Sequence, residues 1–155
     1  MKVVKGDLIK LAIAGEFDVI VHGCNCFCTM GAGIAATIKK IFPEAYTADR
    51  KSEYASKEKL GTYTSATIKY LTIVNAYTQY DFKGRRNADY DAIRNVFKLI
   101  KQDFPGKKIG YPLIGAGLAG GDWNIISQII NEELEGEDHT LVEYVPWKLN
   151  YMRYI

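Results

Sequence analysis

The sequence has no long apolar run and no large excess of charge of either sign. No stretch approaches the roughly 18 consecutive apolar residues needed to cross a bilayer, and the opening MKVVKGDLIK lacks the apolar core of a signal peptide. Twenty Lys and Arg against eighteen Asp and Glu give a net charge of +2, too little to attract nucleic acid or a membrane surface as a whole. We therefore expect a cytoplasmic protein without membrane or nucleic-acid partners, in which local contacts hold any anionic ligand.

Cysteine is scarce and unevenly placed. Cys24, Cys26 and Cys28 all lie within five positions, an odd and crowded set that excludes a disulfide framework and favours a reducing compartment. Together with His22 they suggest zinc, but alternate residues on one extended segment project too far apart to surround a single ion. We expect no metal and no other cofactor, with the cysteines filling pocket and core.

Hydrophobic patterns alternate between strand and helix along the chain. The continuous β-branched run at 18–22 (DVIVH) predicts a buried strand, and Ile34, Ile38 and Ile41 at helical spacing predict the helix after it, with Pro43 as its stop. Further strands are predicted at 1–4, 63–68, 71–76, 108–114 and 140–145, and helices after Asp7, within 44–60, over 90–100 and over 125–134. This order predicts one monomeric domain over 1–155, an α/β/α sandwich with a mixed central sheet.

Two glycine-rich segments each lie between a predicted strand and a predicted helix. One is GAGIA at 31–35, which follows VHGCN at 21–25, and the other is IGAGLAGGDW at 114–123. Small residues allow a ligand to approach the backbone, and free amides at a helix N-terminus bind anions. Because ligands of α/β folds bind at the carboxyl ends of strands, the two loops are expected to clamp a diphosphate.

This arrangement resembles the macrodomain family. The family's first loop reads V-N-A-A-N, five spacer residues, then G-G-G-[VI]-A, and the same spacing runs without a gap from Val21 to Ala35. Gly6-Asp7-Leu8 is similar to the family's G-D-[IL] start, and 115–121 is similar to its second phosphate loop. The resemblance spans nearly the whole chain and implies a macrodomain-like three-layer fold with an ADP-ribose cleft.

The resemblance also implies a set of ligand contacts. Asp7, which is equally suited to cap a helix, is expected on the adenine amino group with Leu8 beside it, and Asn25 on the distal ribose. Either Tyr144 or Trp147 is expected to stack on adenine. The remaining expected contacts come from the two loops and the wall beside them: Gly31, Ala32, Gly33, Ile34, Gly115, Ala116, Gly117, Leu118, Ala119 and Gly120.

Two departures from the family pattern concern the reaction. His22 replaces the family's first asparagine, which resembles the small macrodomains that hydrolyse ADP-ribose 1''-phosphate. The branch that removes ADP-ribose from glutamate or DNA uses a lysine after the strand at 71–76 and an aspartate in the second loop. Here those places read Thr78-Gln79-Tyr80 and Ala119. The resemblance therefore implies an ADP-ribose 1''-phosphate phosphatase.

The candidate catalytic groups are His22, Asn25 and Asp122. Histidine titrates near neutrality, so His22 is suited to activate water, attack phosphorus or protonate the leaving group. Asp122 ends the second loop, where its carboxylate either orients a reacting group or caps the next helix. A non-catalytic reader of ADP-ribose, or a hydrolase of ADP-ribosylated macromolecules, predicts the same cleft, and both alternatives stay open.

One competing motif is weaker. Gly115-x-Gly117-x-x-Gly120, with Glu143 beyond it, matches the dinucleotide fingerprint G-x-G-x-x-G. A Rossmann domain places that loop after its first strand, whereas only one helix and one strand are predicted after it here. The position of the motif near the end of the chain therefore disfavours a nicotinamide oxidoreductase.

Overall fold

Strands and helices alternate along most of the chain. The computed structural model describes residues 1–84 and 87–146. Within them it contains β1 (Lys2–Gly6), α1 (Leu8–Ile13), β2 (Val19–Cys24), α2 (Gly33–Ile41), α3 (Pro43–Arg50), a 3₁₀ helix (Lys57–Lys59), β3 (Tyr63–Ile68), β4 (Leu71–Tyr77), α4 (Tyr90–Asp103), β5 (Ile109–Tyr111), α5 (Trp123–Glu133) and β6 (His139–Tyr144). Among these helices, none is both long and apolar enough to cross a bilayer.

The strands form one mixed sheet in the order β1-β6-β5-β2-β4-β3. All neighbouring pairs are parallel except β3 and β4, which are antiparallel and joined at Lys69-Tyr70. The mixed sheet confirms what the sequence predicts, and the two strands predicted at 63–68 and 71–76 form a hairpin. Because β6, β5, β2 and β4 are parallel neighbours, their carboxyl ends meet at one edge of the sheet.

Each face of the sheet is covered by its own hydrophobic core. Side chains alternate along β2, so that Val19 and Val21 pack with α4 and α5, whereas Ile20 packs with α1, α2 and α3. Burial of each such side chain contributes about 1.5–3 kcal/mol relative to exposure. The two cores give the three layers that the sequence predicts.

Several element boundaries differ by a few residues from the predicted ones, among them those of β1, β2, β4 and β5. β2 continues to Cys24, two residues beyond the predicted end at His22. β5 ends at Tyr111 because the chain turns at Pro112, whose carbonyl accepts a hydrogen bond from Ile114 N at 2.7 Å. Pro43 stops α2 as expected but also begins α3. At this first position of a helix, the lack of an N–H group removes no helical hydrogen bond. The longer β2 matters most, since it places His22 inside a strand.

Candidate functional site

A cleft of about 610 Å³ lies at the carboxyl edge of the sheet, within the usual size range of small-molecule sites. It crosses the ends of β6, β5, β2 and β4, and the two glycine-rich loops form its walls. Expected contacts that line it are Asn25, Gly31, Ala32, Gly33, Ile34, Gly115, Gly117, Leu118, Ala119 and Tyr144. The structure therefore brings both loops to one site.

The polarity of the cleft changes from one end to the other. At the β6 end, Val142 and Tyr144 line it, and Tyr144 is 71% exposed. At the β4 end three polar side chains line it, Thr78 and Gln79 just beyond the strand and Asp49 from α3, together with the half-exposed ring of Phe82. The cleft thus accommodates a ligand with an aromatic group at one end and hydrogen-bonding groups at the other.

The first glycine-rich loop leaves backbone amides available. Asn25 stabilises the segment that precedes this loop. Its side-chain oxygen accepts a hydrogen bond from Phe27 N at 2.8 Å, and its side-chain amide donates one to Thr29 Oγ1 at 2.7 Å. Beyond it, Gly33 opens α2 with a φ of 57°, in the left-handed region that favours glycine. The N-cap residue, Ala32, makes no side-chain capping bond. The first amides of α2 are therefore free of a side-chain cap and suited to an anion.

The second loop faces the first across the cleft. A Cβ built on Gly33 would lie 3.5 Å from Leu118 Cδ1, so the two loops are at contact distance. Gly121 N donates to Gly115 O at 2.8 Å, and a Cβ on Gly121 would lie only 2.5 Å from that oxygen. A Cβ on Gly117, in contrast, meets nothing within 4 Å. Gly121 therefore maintains the loop, whereas Gly117 leaves space beside it.

The structure corrects the expected position of His22. This residue is fully buried and is not among the residues that line the cleft. It pairs in register with Asn75 of β4, and its Nε2 lies 2.7 Å from Asn75 Oδ1. Since the Asn75 amide donates to Ala45 O and Thr64 Oγ1, its oxygen faces His22 and Nε2 carries the proton.

Burial also keeps the His22 imidazole neutral. Desolvation lowers its pKa from 6.5 to about 4, although the hydrogen bond to Asn75 works in the opposite direction. A group that is neutral at pH 7 and has no contact with the cleft is not placed to exchange protons with a ligand there. In this structure, His22 connects β2 to β4 beneath α3.

Two acidic residues serve as helix caps: Asp7, the expected adenine contact, and Asp122, a catalytic candidate. Asp7 Oδ1 accepts from Ile9 N and Lys10 N at the start of α1, and Asp122 Oδ1 accepts from Asn124 N at the start of α5. Neither lines the cleft, and neither do Leu8, Ala116 and Gly120. For Asp122 the capping alternative is the one observed. Trp147, the second stacking candidate, lies outside the described residues.

A buried polar cluster, which was not predicted from the sequence, lies behind the β4 end of the cleft. Asp49 is 1% exposed, and its Oδ1 accepts from the Tyr77 hydroxyl at 2.7 Å. Lys59, also buried, donates to Cys26 O at 3.1 Å and to Ser52 Oγ at 2.8 Å. The one available signal was helical spacing, since Asp49 follows the apolar Phe42 and Ala45 on the buried face of α3.

The thiols of the three cysteines have different hydrogen-bond partners, although Lys59 contacts both Cys26 and Cys28. The Sγ atom of Cys24 lies 3.7 Å from His22 Nε2. The thiol of Cys26 donates to Gln79 O at 3.6 Å, and the thiol of Cys28 donates to Asp49 O at 3.2 Å. Burial raises the pKa of Cys26 to about 11 and raises that of Cys24 as well. Within residues 1–84 and 87–146, no group of three His, Cys, Asp or Glu side chains is arranged to hold a metal ion.

Comparisons with known proteins identify the family of this chain. The Macro domain family model matches residues 21–130. An uncharacterized 17.5 kDa protein in the tk-vs intergenic region of Enterobacteria phage T4 is 35% identical over 156 residues, which are 94% of this chain and 97% of the relative.

Solved structures share the fold. A protein of unknown function from Bacteroides thetaiotaomicron is 28% identical with a TM-score of 0.78, covering 92% of this chain and 98% of that one. Thermosipho africanus DarTG in complex with ADP-ribose is 16% identical with a TM-score of 0.73, covering 96% of this chain and 42% of that one, a likeness of fold alone. Given the match of the family model over most of its length, this chain belongs to the Macro domain family.

Proposed function

We propose that this chain binds ADP-ribose in the cleft. The order of groups along the cleft carries the proposal: an exposed tyrosine at the β6 end, two loops with small residues in the middle, and polar side chains beside Phe82 at the β4 end. Adenine would stack near Tyr144, the diphosphate would lie between the loops, and the distal ribose would reach Asn25 and Thr78.

The fold supports this assignment, and the low net charge indicates which groups would hold the diphosphate. A net charge of +2 supplies little general attraction for a diphosphate, so backbone amides at the α2 N-terminus would provide the main anion contacts. The DarTG structure that contains ADP-ribose has the same fold over 96% of this chain. At 16% identity this likeness shows the fold alone, so ADP-ribose as the ligand of this chain is part of the proposal.

As its activity we propose hydrolysis of ADP-ribose 1''-phosphate, with a non-catalytic reader as the alternative. Asn25 lines the cleft and, with the loop amides, supplies positioned polar groups. The place where the resemblance gives the ADP-ribosyl hydrolases a lysine reads Thr78-Gln79-Tyr80, of which Thr78 and Gln79 line the cleft, and Ala119 lines it at the place of the aspartate. Neither place supplies the side chain that this branch uses, which disfavours removal of ADP-ribose from macromolecules. His22 has no direct role in this proposal.

The binding proposal predicts a preference between two ligands. ADP-ribose is expected to bind in the micromolar range, and AMP at least about tenfold more weakly, since each tenfold corresponds to about 1.4 kcal/mol. AMP lacks the second phosphate and the distal ribose, and so loses contacts with the loops and with Asn25. Isothermal titration calorimetry measures both affinities. Equal affinity for the two ligands would contradict the proposed placement.

The activity proposal predicts release of phosphate. Wild-type protein in excess over ADP-ribose 1''-phosphate should yield ADP-ribose and phosphate in a single turnover, and ADP-ribosylated protein should remain unchanged. Gly117→Val, in which the ligand space is filled, is the control for contaminating phosphatase. Tight binding without phosphate release would establish the reader, and release of ADP-ribose from modified protein would favour the hydrolase.

A further inference from the structure

The β4 end of the cleft contains two buried oxygen atoms that have no hydrogen-bond partner within the described part of the chain. They are Asp49 Oδ2 and Thr78 Oγ1. Both residues are 1% exposed, yet both line the cleft. Buried polar groups in native proteins are nearly always paired, so an unpaired oxygen next to a cavity indicates that a partner comes from outside the protein.

Asp49 occupies a place that is unfavourable for a carboxylate without such a partner. It lies in the last turn of α3, where the helix dipole disfavours negative charge. Burial raises its pKa, although the Tyr77 hydrogen bond and the nearby Lys59 ammonium lower it. A residue that serves packing alone would be apolar at this position, as Phe42 and Ala45 are on the same face.

The surroundings hold both side chains in place. The Tyr77 hydroxyl donates to Asp49 Oδ1, so the bond that fixes the carboxylate does not use Oδ2. Thr78 lies against β2, where a Cβ on Gly23 would come within 2.7 Å of Thr78 Oγ1. Gly23 therefore leaves the space that the threonine hydroxyl occupies.

We propose that Asp49 and Thr78 bind the hydroxyl groups of the sugar at this end of the ligand. The inference rests on the proposed function and specifies how that site recognises the distal ribose. A carboxylate only accepts hydrogen bonds, and sugar hydroxyls are donors, whereas a phosphate group would be repelled by the charge. Asp49 thus favours sugar hydroxyls at its own position, and the phosphates, including the 1''-phosphate of the proposed substrate, would lie toward the glycine loops.

The test compares ADP-ribose with ADP, which has the same nucleotide but no distal ribose. Asp49→Asn is expected to lower affinity for ADP-ribose about tenfold, equal to about 1.4 kcal/mol, and to change that for ADP less than about twofold. Asp103→Asn is the matched control, because Asp103 also ends a helix and accepts from a tyrosine hydroxyl, that of Tyr63 at 2.6 Å, away from the cleft. It should leave both affinities unchanged.

Thr78→Val is the second variant, chosen because it removes a hydroxyl that has no protein partner and should not impair folding. It is expected to weaken ADP-ribose binding about threefold or more and to leave ADP binding unchanged. If the wild type binds ADP-ribose but both variants bind it equally well, the inference is wrong and the proposed function stands. Parallel losses for both ligands would also overturn it, and a wild type that does not bind ADP-ribose would overturn both proposals.

Discussion

Gly117→Val is expected to lower the affinity for ADP-ribose by at least about a hundredfold while changing the free energy of unfolding by less than about 1 kcal/mol. Gly117 is exposed and lines the cleft, and a Cβ built on it meets nothing within 4 Å. The valine side chain would therefore enter the space proposed for the diphosphate without displacing protein atoms. Calorimetric titration and urea unfolding measure the two quantities.

Two further glycine variants sharpen this test. Gly117→Ala should weaken binding less than valine does, because the loss follows the volume added to the cleft. Gly121→Ala should reduce both stability and binding, since its Cβ would lie 2.5 Å from Gly115 O and 2.8 Å from Ile126 Cδ1. A folded Gly117→Val protein with wild-type affinity would show that the second loop does not approach the ligand.

The fold could be predicted because its signals are local. The β-branched run of β2 and the helical spacing of Ile34, Ile38 and Ile41 specify elements without information about their neighbours. The two loops are predictable for the same reason, since clustered glycines between a strand and a helix are typical of a backbone that a ligand approaches closely. Both loops accordingly line the observed cleft.

The site residues that were misplaced or missed depend on tertiary contacts. The sequence predicts that the strand ends at His22, where the β-branched run at 18–22 ends, but β2 continues to Cys24 and pairs His22 with Asn75, 53 residues away. Asp49 likewise becomes part of the site only because α3 packs against β3 and β4. Hydrophobic periodicity shows which face of a helix or strand is buried, but not which residues of other elements pack against that face. Neither contact was therefore predictable from the sequence pattern.

Acidification from pH 7.5 to 5 is expected to lower the free energy of unfolding substantially through two buried histidines. Burial lowers the pKa of both His22 and His139 from 6.5 to about 4. Between these values the unfolded chain binds protons that the folded chain does not, so stability is present above pH 6.5 and is lost as the pH falls. Each histidine is expected to cost about 2 kcal/mol by pH 5.

His22→Asn isolates the contribution of His22. The variant removes the titrating group, so its stability should fall by about 2 kcal/mol less than that of the wild type between pH 7.5 and 5 in urea unfolding experiments. The difference between the two proteins also cancels the opposing contribution of Asp49, whose pKa is raised. At pH 7.5, His22→Ala should instead be destabilised by about 2–4 kcal/mol, since it leaves Asn75 Oδ1 unpaired and a cavity beside it, and this deficit relative to the wild type should shrink by about 2 kcal/mol at pH 5.

The same variant tests whether His22 acts in catalysis. An imidazole with a pKa of about 4 stays neutral from pH 5 to 8, so phosphate release should show no His22-dependent change over that range. His22→Asn should then leave the pH profile of single-turnover phosphate release unaltered, provided that the measurement is made where the variant is folded. A change in the rate of phosphate release with a midpoint near pH 6.5, present in the wild type and absent from His22→Asn, would contradict the buried, neutral histidine. It would support a catalytic role for His22.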